Sequence, residues 1–546
     1  MPTVKLDRNT IYKKIGKKLN DDQLFDRISY LGQSLEDIQK DEITVEINPN
    51  RPDLLSEQGF ARALGSFIGT KKGLKKYTVK KSSVKVIIHP SVKKVRPCTA
   101  CAIVKGLKLN DELIKEIIYL QEKLHITYGR NRKKTAIGIY PLEHISPPIT
   151  FIAKKPQEIK FAPLELSKEL TGSQILSMHP TGRAYGHLLD GCSVYPVFVD
   201  AKQNVMSMPP IINSNKVGKI TTKTKDVFIE CSGFDYDYLS VCLNMIVTSL
   251  ADMGGDIYSV EIKDKKTVVS PNLDPREMKI SLEKVNSLLG VQFSEADLKK
   301  YLELMGFGYA AKKVLVPCYR ADIMHEVDLI EDIAIAYGYE QFKEDIPTRG
   351  AMGEEHPLTK YESKMRSLLI GHRLIEACNV HLSNEKVQNR QVREHANLIQ
   401  LKNSLSEDYA VLRRSLIPGL LETLQRNKLH DYPQNLFELG TVFEQDKSTE
   451  TGVAEKLALG IVLCNKSADF TKMKQVVDAL LHGLGLVYDV AEENKEVFIK
   501  GRSCGILVSG KHVGSMGEVA PAVLELFQLE MPTVVTELFV EGLIQK

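Results

Sequence analysis

Four carboxylates in the segment YRADIMHEVDLIEDIAIAYGY (319–339) have the types and spacing of a site for a hard cation. Asp328, Glu331 and Asp332 stand at positions i, i+3 and i+4, which share one face of a helix, and Asp322 lies just upstream. Four oxygen ligands without His or Cys favour Mg²⁺ over zinc or copper. The same pattern also fits an acidic helix start, because Asp and Glu favour the positive end of a helix dipole. Spacing alone leaves both interpretations open.

The elements around this segment are predicted to form a small domain at 272–345. Val327, Ile330 and Ile333 supply the apolar side of an amphipathic helix that carries the carboxylates. Upstream, Ser281 is placed to cap a helix that stops at Gly290, and Ser294 begins a capping box that opens a second helix.

Three further regions are predicted from composition and periodicity. Residues 1–70 form a compact module that ends in a helix from about Ser56. Residues 85–268 alternate short apolar runs with turns and helical patterns, which is typical of a mixed α/β domain. Residues 350–546 continue as mixed helix and strand. The lysine-rich segment 71–81 is interpreted as a solvated tether, with contact to RNA phosphates as the alternative.

Bulk composition indicates a multidomain cytosolic protein with no membrane partner. The chain has 546 residues, 43% hydrophobic content and a formal net charge of +4, so charge alone neither demands nor excludes a nucleic-acid partner. No apolar run approaches the roughly 20 residues of a membrane span. Nine scattered cysteines do not make a disulfide framework, and the single CxxC at 98–101 lacks partners for a zinc site.

The usual signatures of a catalytic centre are missing from the sequence. The segment GSFIGTK (65–71) has its glycines one residue too close for a phosphate-binding loop, and the chain contains neither GxSxG nor HExxH. The sequence therefore predicts no self-contained site for ATP chemistry.

Several segments, in order along nearly the whole chain, resemble the family of phenylalanyl-tRNA synthetase β subunits of the archaeal/eukaryotic type. They include NPNRPDLLSEQGFARALG near the N-terminus, LHITYGRNRKKTAIGIYPLEHI (124–145) and SMPPIINSNKVGKIT (207–221). The acidic helix segment and LSEDYAVLRRSLIPGLLETLQRN (405–427) complete the series.

The resemblance implies an α/β and α+β multidomain fold. Its parts would be the N-terminal module, a tRNA-editing domain at 85–268, a small winged-helix-like Mg²⁺-binding domain, and a class II synthetase-like antiparallel sheet at 350–546. The last domain is predicted to be catalytically silent for aminoacylation. The chain has no Glu-Arg dipeptide, and LFELGTVFE (436–444) lacks the arginine with which class II enzymes clamp ATP phosphates.

The resemblance also implies the partners and cofactors. An α subunit would hold ATP and phenylalanine in an (αβ)₂ heterotetramer that charges tRNA(Phe). Asp322, Asp328, Glu331 and Asp332 match the family's Mg²⁺ ligands at the contact with α, which favours the metal interpretation of the acidic helix.

An editing site follows from the same resemblance, because an apolar phenylalanine pocket rejects tyrosine imperfectly. Glu230 is the candidate acceptor for the phenol proton. Ser232 and Ser207 would position the ester or a water, and Phe198 would line the ring pocket. Without the resemblance, Glu230 reads as a strand residue facing solvent and Ser207 as a cap of the Pro-Pro turn.

Basic side chains in the same domain are candidate contacts to the tRNA backbone. They are Arg130, Arg132, Lys133 and Lys134 in the run GRNRKK, which also fits an ordinary exposed turn, and Arg183.

Two other functions stay open on the sequence: a tRNA-binding scaffold without editing, and a free-standing hydrolase of mischarged tRNA. The first would lack hydrolysis of Tyr-tRNA, and the second would need no α subunit.

Overall fold

The structure, a computed structural model, describes residues 2–346, 350 and 352–544. The chain divides into two compact units, Met1–Asp345 and Ile346–Lys546. Both units combine helices with β-sheets, which confirms the prediction of a multidomain α/β and α+β fold. Within the described ranges no helix is both long and apolar enough to cross a membrane.

The first unit begins with a three-stranded antiparallel sheet in the order β1-β3-β2. Ser56 caps the helix that follows this sheet, as the sequence predicts, and its hydroxyl accepts a hydrogen bond from the Gly59 amide at 3.0 Å. The elements are β1 (Thr3–Asp7), α1 (Arg8–Ile15), α2 (Asp21–Tyr30), β2 (Ser34–Ile38), β3 (Glu42–Glu46) and α3 (Glu57–Phe67).

Two sheets packed face to face dominate the next part of this unit. A five-stranded sheet has the order β4-β15-β6-β14-β7, and a seven-stranded sheet has the order β13-β12-β11-β8-β5-β16-β17. The apolar layer between them includes Tyr140 and Phe228 from the first sheet and Phe151 and Phe198 from the second. Helices α4 and α8 pack on the other face of the five-stranded sheet. Strands β6, β14 and β7 of the five-stranded sheet are therefore buried on both faces.

The elements of this two-sheet region run in chain order as follows. They are β4 (Val79–Lys80), β5 (Lys85–Ile88), β6 (Cys98–Lys105), α4 (Asp111–Ile126), β7 (Thr135–Pro141), β8 (Ile149–Lys154), β9 (Lys160–Phe161), β10 (Leu170–Thr171), α5 (Gly172–Met178), α6 (Pro180–Tyr185), β11 (Tyr195–Val199), β12 (Val205–Met208), β13 (Ile212–Asn213), α7 (Asn215–Gly218), β14 (Val227–Gly233), α8 (Tyr236–Asp252), β15 (Asp256–Tyr258), β16 (Val260–Lys263) and β17 (Thr267–Ser270).

Three helices and a three-stranded antiparallel sheet complete the first unit. Ser281 and Ser294 cap the first two helices, and Gly290 ends the first in a left-handed conformation, so these three sequence predictions are confirmed. The elements are β18 (Arg276–Lys279), α9 (Leu282–Leu289), α10 (Glu295–Leu304), β19 (Gly308–Ala310), β20 (Lys313–Val316) and α11 (Glu326–Tyr337).

The second unit is built on a seven-stranded sheet in the order β21-β24-β25-β29-β28-β27-β26. Its long strands pair antiparallel, and the short edge strand β21 runs parallel to β24. The elements are α12 (Pro357–Gly371), β21 (Ile375–Glu376), β22 (Leu382–Ser383), β23 (Val411–Leu412), α13 (Ile417–Arg426), β24 (Gln434–Gln445), β25 (Val453–Cys464), α14 (Phe470–Gly483), β26 (Tyr488–Glu492), β27 (Phe498–Val508), β28 (Lys511–Val519), α15 (Pro521–Leu526) and β29 (Thr533–Phe539).

Candidate functional site

A cavity of about 560 Å³ opens beside the five-stranded sheet of the two-sheet region. Its volume falls in the range of pockets that hold an amino acid or a nucleoside. Glu230 reaches it from β14, His125 from α4, and Asn213 from β13, while Arg132 enters from the turn between α4 and β7. Apolar side chains such as Ile139 complete the wall.

Glu230 is a buried carboxyl group with one oxygen left without a partner. It is 1% exposed, and its neighbour Tyr140 donates a hydrogen bond to Oε1 at 3.1 Å, whereas Oε2 has no hydrogen-bond partner. Burial raises the pKa of Glu230 to about 8, against the opposing effects of the Tyr140 hydrogen bond and the charge of Arg96. A buried polar atom without a partner is costly, and a ligand hydroxyl donating to Oε2 would remove that cost.

This raised pKa predicts a pH-dependent stability. The folded chain holds a proton on Glu230 up to about pH 8, and the unfolded chain releases it near the ordinary value of 4.5. Stability therefore falls as pH rises between these two values, by at most about 1.4 kcal/mol per pH unit, and levels off above the upper one. We expect Glu230→Gln to remove this contribution. Urea unfolding of the wild type and of Glu230→Gln at pH 6 and pH 9 measures this contribution. An equal pH dependence of stability in the two proteins would contradict the prediction.

Gly138 leaves the space that the Glu230 side chain occupies. The two residues are directly paired between β7 and β14. A Cβ atom at position 138 would lie 2.1 Å from the Tyr140 hydroxyl and 2.6 Å from Glu230 Oε1. The glycine is thus required by close packing rather than by its backbone conformation.

We expect Gly138→Ala to destabilise the first unit by about 1–3 kcal/mol, since the added methyl group must displace the Tyr140–Glu230 pair. Urea unfolding measures the loss. Gly186→Ala is the matched control, because its Cβ would meet no atom closer than 3.8 Å. Equal stability of the two variants would show that the Tyr140–Glu230 pair does not need the space beside Gly138.

The turn that carries Arg132 has an unusual backbone. Arg130, Asn131 and Arg132 have φ values of 48°, 53° and 64°, a left-handed run that costs free energy for residues other than glycine. It directs the Arg132 guanidinium inward, where it donates to the Ile211 carbonyl oxygen at 2.7 Å and to Glu122 at 3.0 Å. Its buried Nε has no partner.

The contact of Arg132 with tRNA phosphates stays a prediction, but its side chain points into the protein, unlike those of the rest of the basic run. Its side chain is 11% exposed and stacks on the ring of Tyr185, with Cζ 4.3 Å from the ring centroid. Arg130, Lys133, Lys134 and Arg183 are exposed, and their contact with tRNA stays a prediction. The basic spacing could not show this difference, because the inward direction depends on three consecutive left-handed residues.

His125 lines the cavity but does not serve as a free base. Its Nε2 accepts a hydrogen bond from the Ile137 amide at 2.8 Å, and its Nδ1 lies 3.1 Å from the Glu122 carboxylate. Burial lowers its pKa, so the ring is neutral at physiological pH. Asn213 is more accessible to a ligand, because its Oδ1 makes a long contact of 3.4 Å with the Tyr140 hydroxyl. The sequence analysis did not single out Asn213, His125 or Glu122 for this site.

Three predicted editing residues lie away from the cavity lining. Phe198 is fully buried and stacks on Phe151 at 4.2 Å between the sheets, and Ser232 accepts a hydrogen bond from Arg96 at 3.2 Å. Neither residue lines the cavity, and their predicted roles at a ligand stay predictions. Ser207 is 1% exposed with an unpartnered hydroxyl, and it pairs with Asn213 across the sheet.

The four carboxylates predicted to bind Mg²⁺ are each hydrogen-bonded to other protein groups and do not meet at one point. Arg320 donates to Asp322 at 2.8 and 2.7 Å and to Asp332 at 2.7 Å. Asp328 caps α11 by accepting from two backbone amides at 2.7 Å, and the exposed Glu331 accepts from the Tyr339 hydroxyl at 2.7 Å. The predicted acidic helix is confirmed as α11. The arrangement of its carboxylates does not support binding of one shared cation.

The donor set as placed does not fit a four-carboxylate Mg²⁺ site. Throughout the described residues, no group of three or more His, Cys, Asp or Glu side chains could hold a metal ion. A shared ion would require Asp322 and Asp332 to leave Arg320, whose guanidinium already neutralises them. The sequence pattern did not show that Arg320 pairs with Asp322 and Asp332, because Arg320 comes before the helix and reaches Asp332 only in the folded domain.

Because Arg320 already supplies the positive charge next to Asp322 and Asp332, we expect removal of divalent cations to leave the stability of the isolated chain unchanged. Calorimetric unfolding with EDTA and with added Mg²⁺ measures this. A clear rise in unfolding temperature with Mg²⁺, abolished by Asp328→Asn, would contradict the separate placement of the four carboxylates.

Family models match three parts of the chain. Residues 1–70 match the Phe-tRNA synthetase beta subunit B1 domain, residues 278–339 the tRNA synthetase B5 domain, and residues 344–540 the phenylalanyl tRNA synthetase beta chain CLM domain. The cavity that contains Glu230 lies outside these three ranges.

Curated relatives and a solved structure cover the remaining region. The chain is 36% identical to the phenylalanine–tRNA ligase beta subunit of Pyrococcus horikoshii over 100% of both chains. It is 39% identical to that of Archaeoglobus fulgidus over 97% of both. A crystal structure of an N-terminal fragment of the P. horikoshii phenylalanyl-tRNA synthetase beta subunit is 38% identical, with a TM-score of 0.60, and covers 62% of this chain and 100% of the fragment. The chain belongs to the family of phenylalanine–tRNA ligase beta subunits.

Proposed function

We propose that this chain works with an α subunit to attach phenylalanine to tRNA(Phe) at the expense of ATP, and that its Glu230 cavity hydrolyses Tyr-tRNA(Phe). The observation that carries the second part is the unpartnered Oε2 of Glu230 in a cavity of amino-acid size. A tyrosine hydroxyl can form a hydrogen bond with that oxygen, and a phenylalanine side chain has no group that can. The editing site would therefore select tyrosine by its hydroxyl, a group that an apolar phenylalanine pocket rejects only incompletely.

The hydrolysis that we propose uses water and needs no side-chain base. Water attacks the ester carbonyl carbon, the bond from that carbon to the ribose oxygen breaks, and the ribose oxygen takes a proton. The products are tyrosine and tRNA with a free terminal hydroxyl. Arg132 lines the cavity and its buried Nε has no partner, so in this proposal it would stabilise negative charge on the carbonyl oxygen. His125 is excluded as base by its two hydrogen bonds.

The second unit supports a non-catalytic role in aminoacylation. Arg413 and Glu438 form a buried ion pair at 2.5 Å, and Asn379 donates to the other Glu438 oxygen at 2.7 Å. The side chains of Arg413 and Glu438 are 5% and 2% exposed. This arginine is therefore committed to the protein interior and is not available to ATP phosphates.

Charging of tRNA(Phe) with labelled phenylalanine tests the subunit role. The chain is assayed alone and after co-expression with an α subunit of the same organism. Activity confined to the mixture is the expected result. Activity of the chain alone would reveal an ATP site within it, and no activity in a stable complex would favour a scaffold or a free-standing hydrolase.

A further inference from the structure

A second cavity, of about 470 Å³, lies within the first unit, and seven of its nineteen lining residues are basic. Its walls come from α1, α3, the end of α8, and the segments on either side of β19 and β20. It does not share any lining residue with the Glu230 cavity. A pocket of this volume holds a ligand of nucleotide size.

The lysine-rich segment forms one wall of this cavity instead of a free tether. Gly73 donates its amide to the Glu303 carbonyl oxygen at 2.7 Å, and the hydroxyl of Tyr77 contacts both Asp252 carboxylate oxygens at 3.0 and 3.1 Å. Lys71, Lys72 and Lys75 line the cavity. The interpretation of 71–81 as a solvated tether is therefore wrong for residues 71–77, because the segment is anchored at both ends.

The basic groups of the cavity fall into two sets. Arg51, Arg62, Arg320 and Lys75 are each paired with a carboxylate, so their charges are largely neutralised. Lys14, Lys71 and Lys72 form no ion pair within the described part of the chain, and the Lys71 ammonium group donates only to the Lys14 carbonyl oxygen. Three lysines without an ion pair in the described ranges thus line the same cavity, and Lys14 has nearby carboxylates, those of Glu57 and Glu116.

We propose that this cavity binds a phosphorylated small molecule of nucleotide size, with its phosphates held by Lys14, Lys71 and Lys72. A lysine ammonium is a compact charge that pairs well with phosphate oxygens. A cleft with an excess of positive charge raises the local concentration of anionic ligands. A small phosphorylated ligand fits better than a nucleic-acid backbone, because all three lysines line one cavity of about 470 Å³.

Calorimetric titration of the full chain with ATP and with inorganic pyrophosphate tests the proposal. We expect the two probes to compete for one site, and Lys14→Gln/Lys71→Gln/Lys72→Gln to weaken both at least about tenfold. The matched control is Lys17→Gln/Lys18→Gln/Lys40→Gln, which removes three exposed charges of the same domain away from the cavity. It should bind as the wild type does.

A second measurement keeps the test independent of any single variant. Pyrophosphate should slow amide hydrogen exchange at residues 69–77 of the wild-type chain. Absence of binding by both probes would overturn the proposal, as would equal weakening in the control variant. Binding of a tRNA transcript that depends on the three lysines, without binding of either small probe, would also overturn it in favour of a backbone contact.

Discussion

Replacing Glu230 by leucine is expected to lower the rate of Tyr-tRNA(Phe) hydrolysis by about ten- to a hundredfold, because a buried tyrosine hydroxyl left without its hydrogen-bond partner costs about 1–3 kcal/mol. Leucine removes both oxygens and offers an apolar surface to the ring. Hydrolysis of correctly charged Phe-tRNA(Phe) should stay the same or rise. The measured quantity is the ratio of the two deacylation rates at pH 7.5 with preformed substrates.

Two further variants distinguish recognition from a general loss of structure. Glu230→Gln keeps the shape and one acceptor oxygen, so it should fall between the wild type and Glu230→Leu. Glu143→Gln changes an exposed carboxylate outside the cavity and should leave the ratio unchanged. If Glu230→Leu lowers both rates equally while its unfolding temperature is unchanged, Glu230 does not read the tyrosine hydroxyl.

Replacing Arg320 by methionine is expected to destabilise the first unit by about 3–5 kcal/mol, because it leaves two buried carboxylates without their counter-charge. The Arg320 side chain is 2% exposed, and those of Asp322 and Asp332 are each 9% exposed. Its guanidinium carbon also lies 5.0 Å from the centre of the Phe307 ring. Calorimetric unfolding of the chain, followed at low ionic strength, measures the loss.

The triple variant Arg320→Met/Asp322→Asn/Asp332→Asn separates charge from packing. Because it removes the buried charges together, it should recover part of the lost stability. Glu331→Gln is the control, because Glu331 is an exposed carboxylate of α11, the helix that carries Asp332. It should have little effect on the free energy of unfolding. A triple variant no more stable than Arg320→Met would show that the methionine itself, and not the unpaired charge, causes the loss.

The sequence predicted the local elements well where the determining residues are neighbours. The caps at Ser56, Ser281 and Ser294 and the helix stop at Gly290 depend on backbone groups within a few residues. The acidic helix is present for the same reason, since its apolar spacing is a property of one segment.

The site was harder to predict because its contacts join distant segments. Arg320 meets Asp332 twelve residues later, and Tyr140 meets Glu230 ninety residues later. Strands β11 and β14 are buried on nearly every residue, so alternation could not tell which face of each strand meets a cavity. For that reason the sequence could not distinguish Glu230, which lines the cavity, from Phe198, which packs between the two sheets.

The most direct test of the account is the deacylation of preformed Tyr-tRNA(Phe) by the purified complex of this chain with its α subunit, with Phe-tRNA(Phe) as the parallel substrate. The account predicts rapid release of tyrosine and intact tRNA, slow release of phenylalanine, and loss of this preference in Glu230→Leu. Equal and slow release of both amino acids by a complex that charges tRNA(Phe) normally would contradict it, and would leave the Glu230 cavity without an editing role.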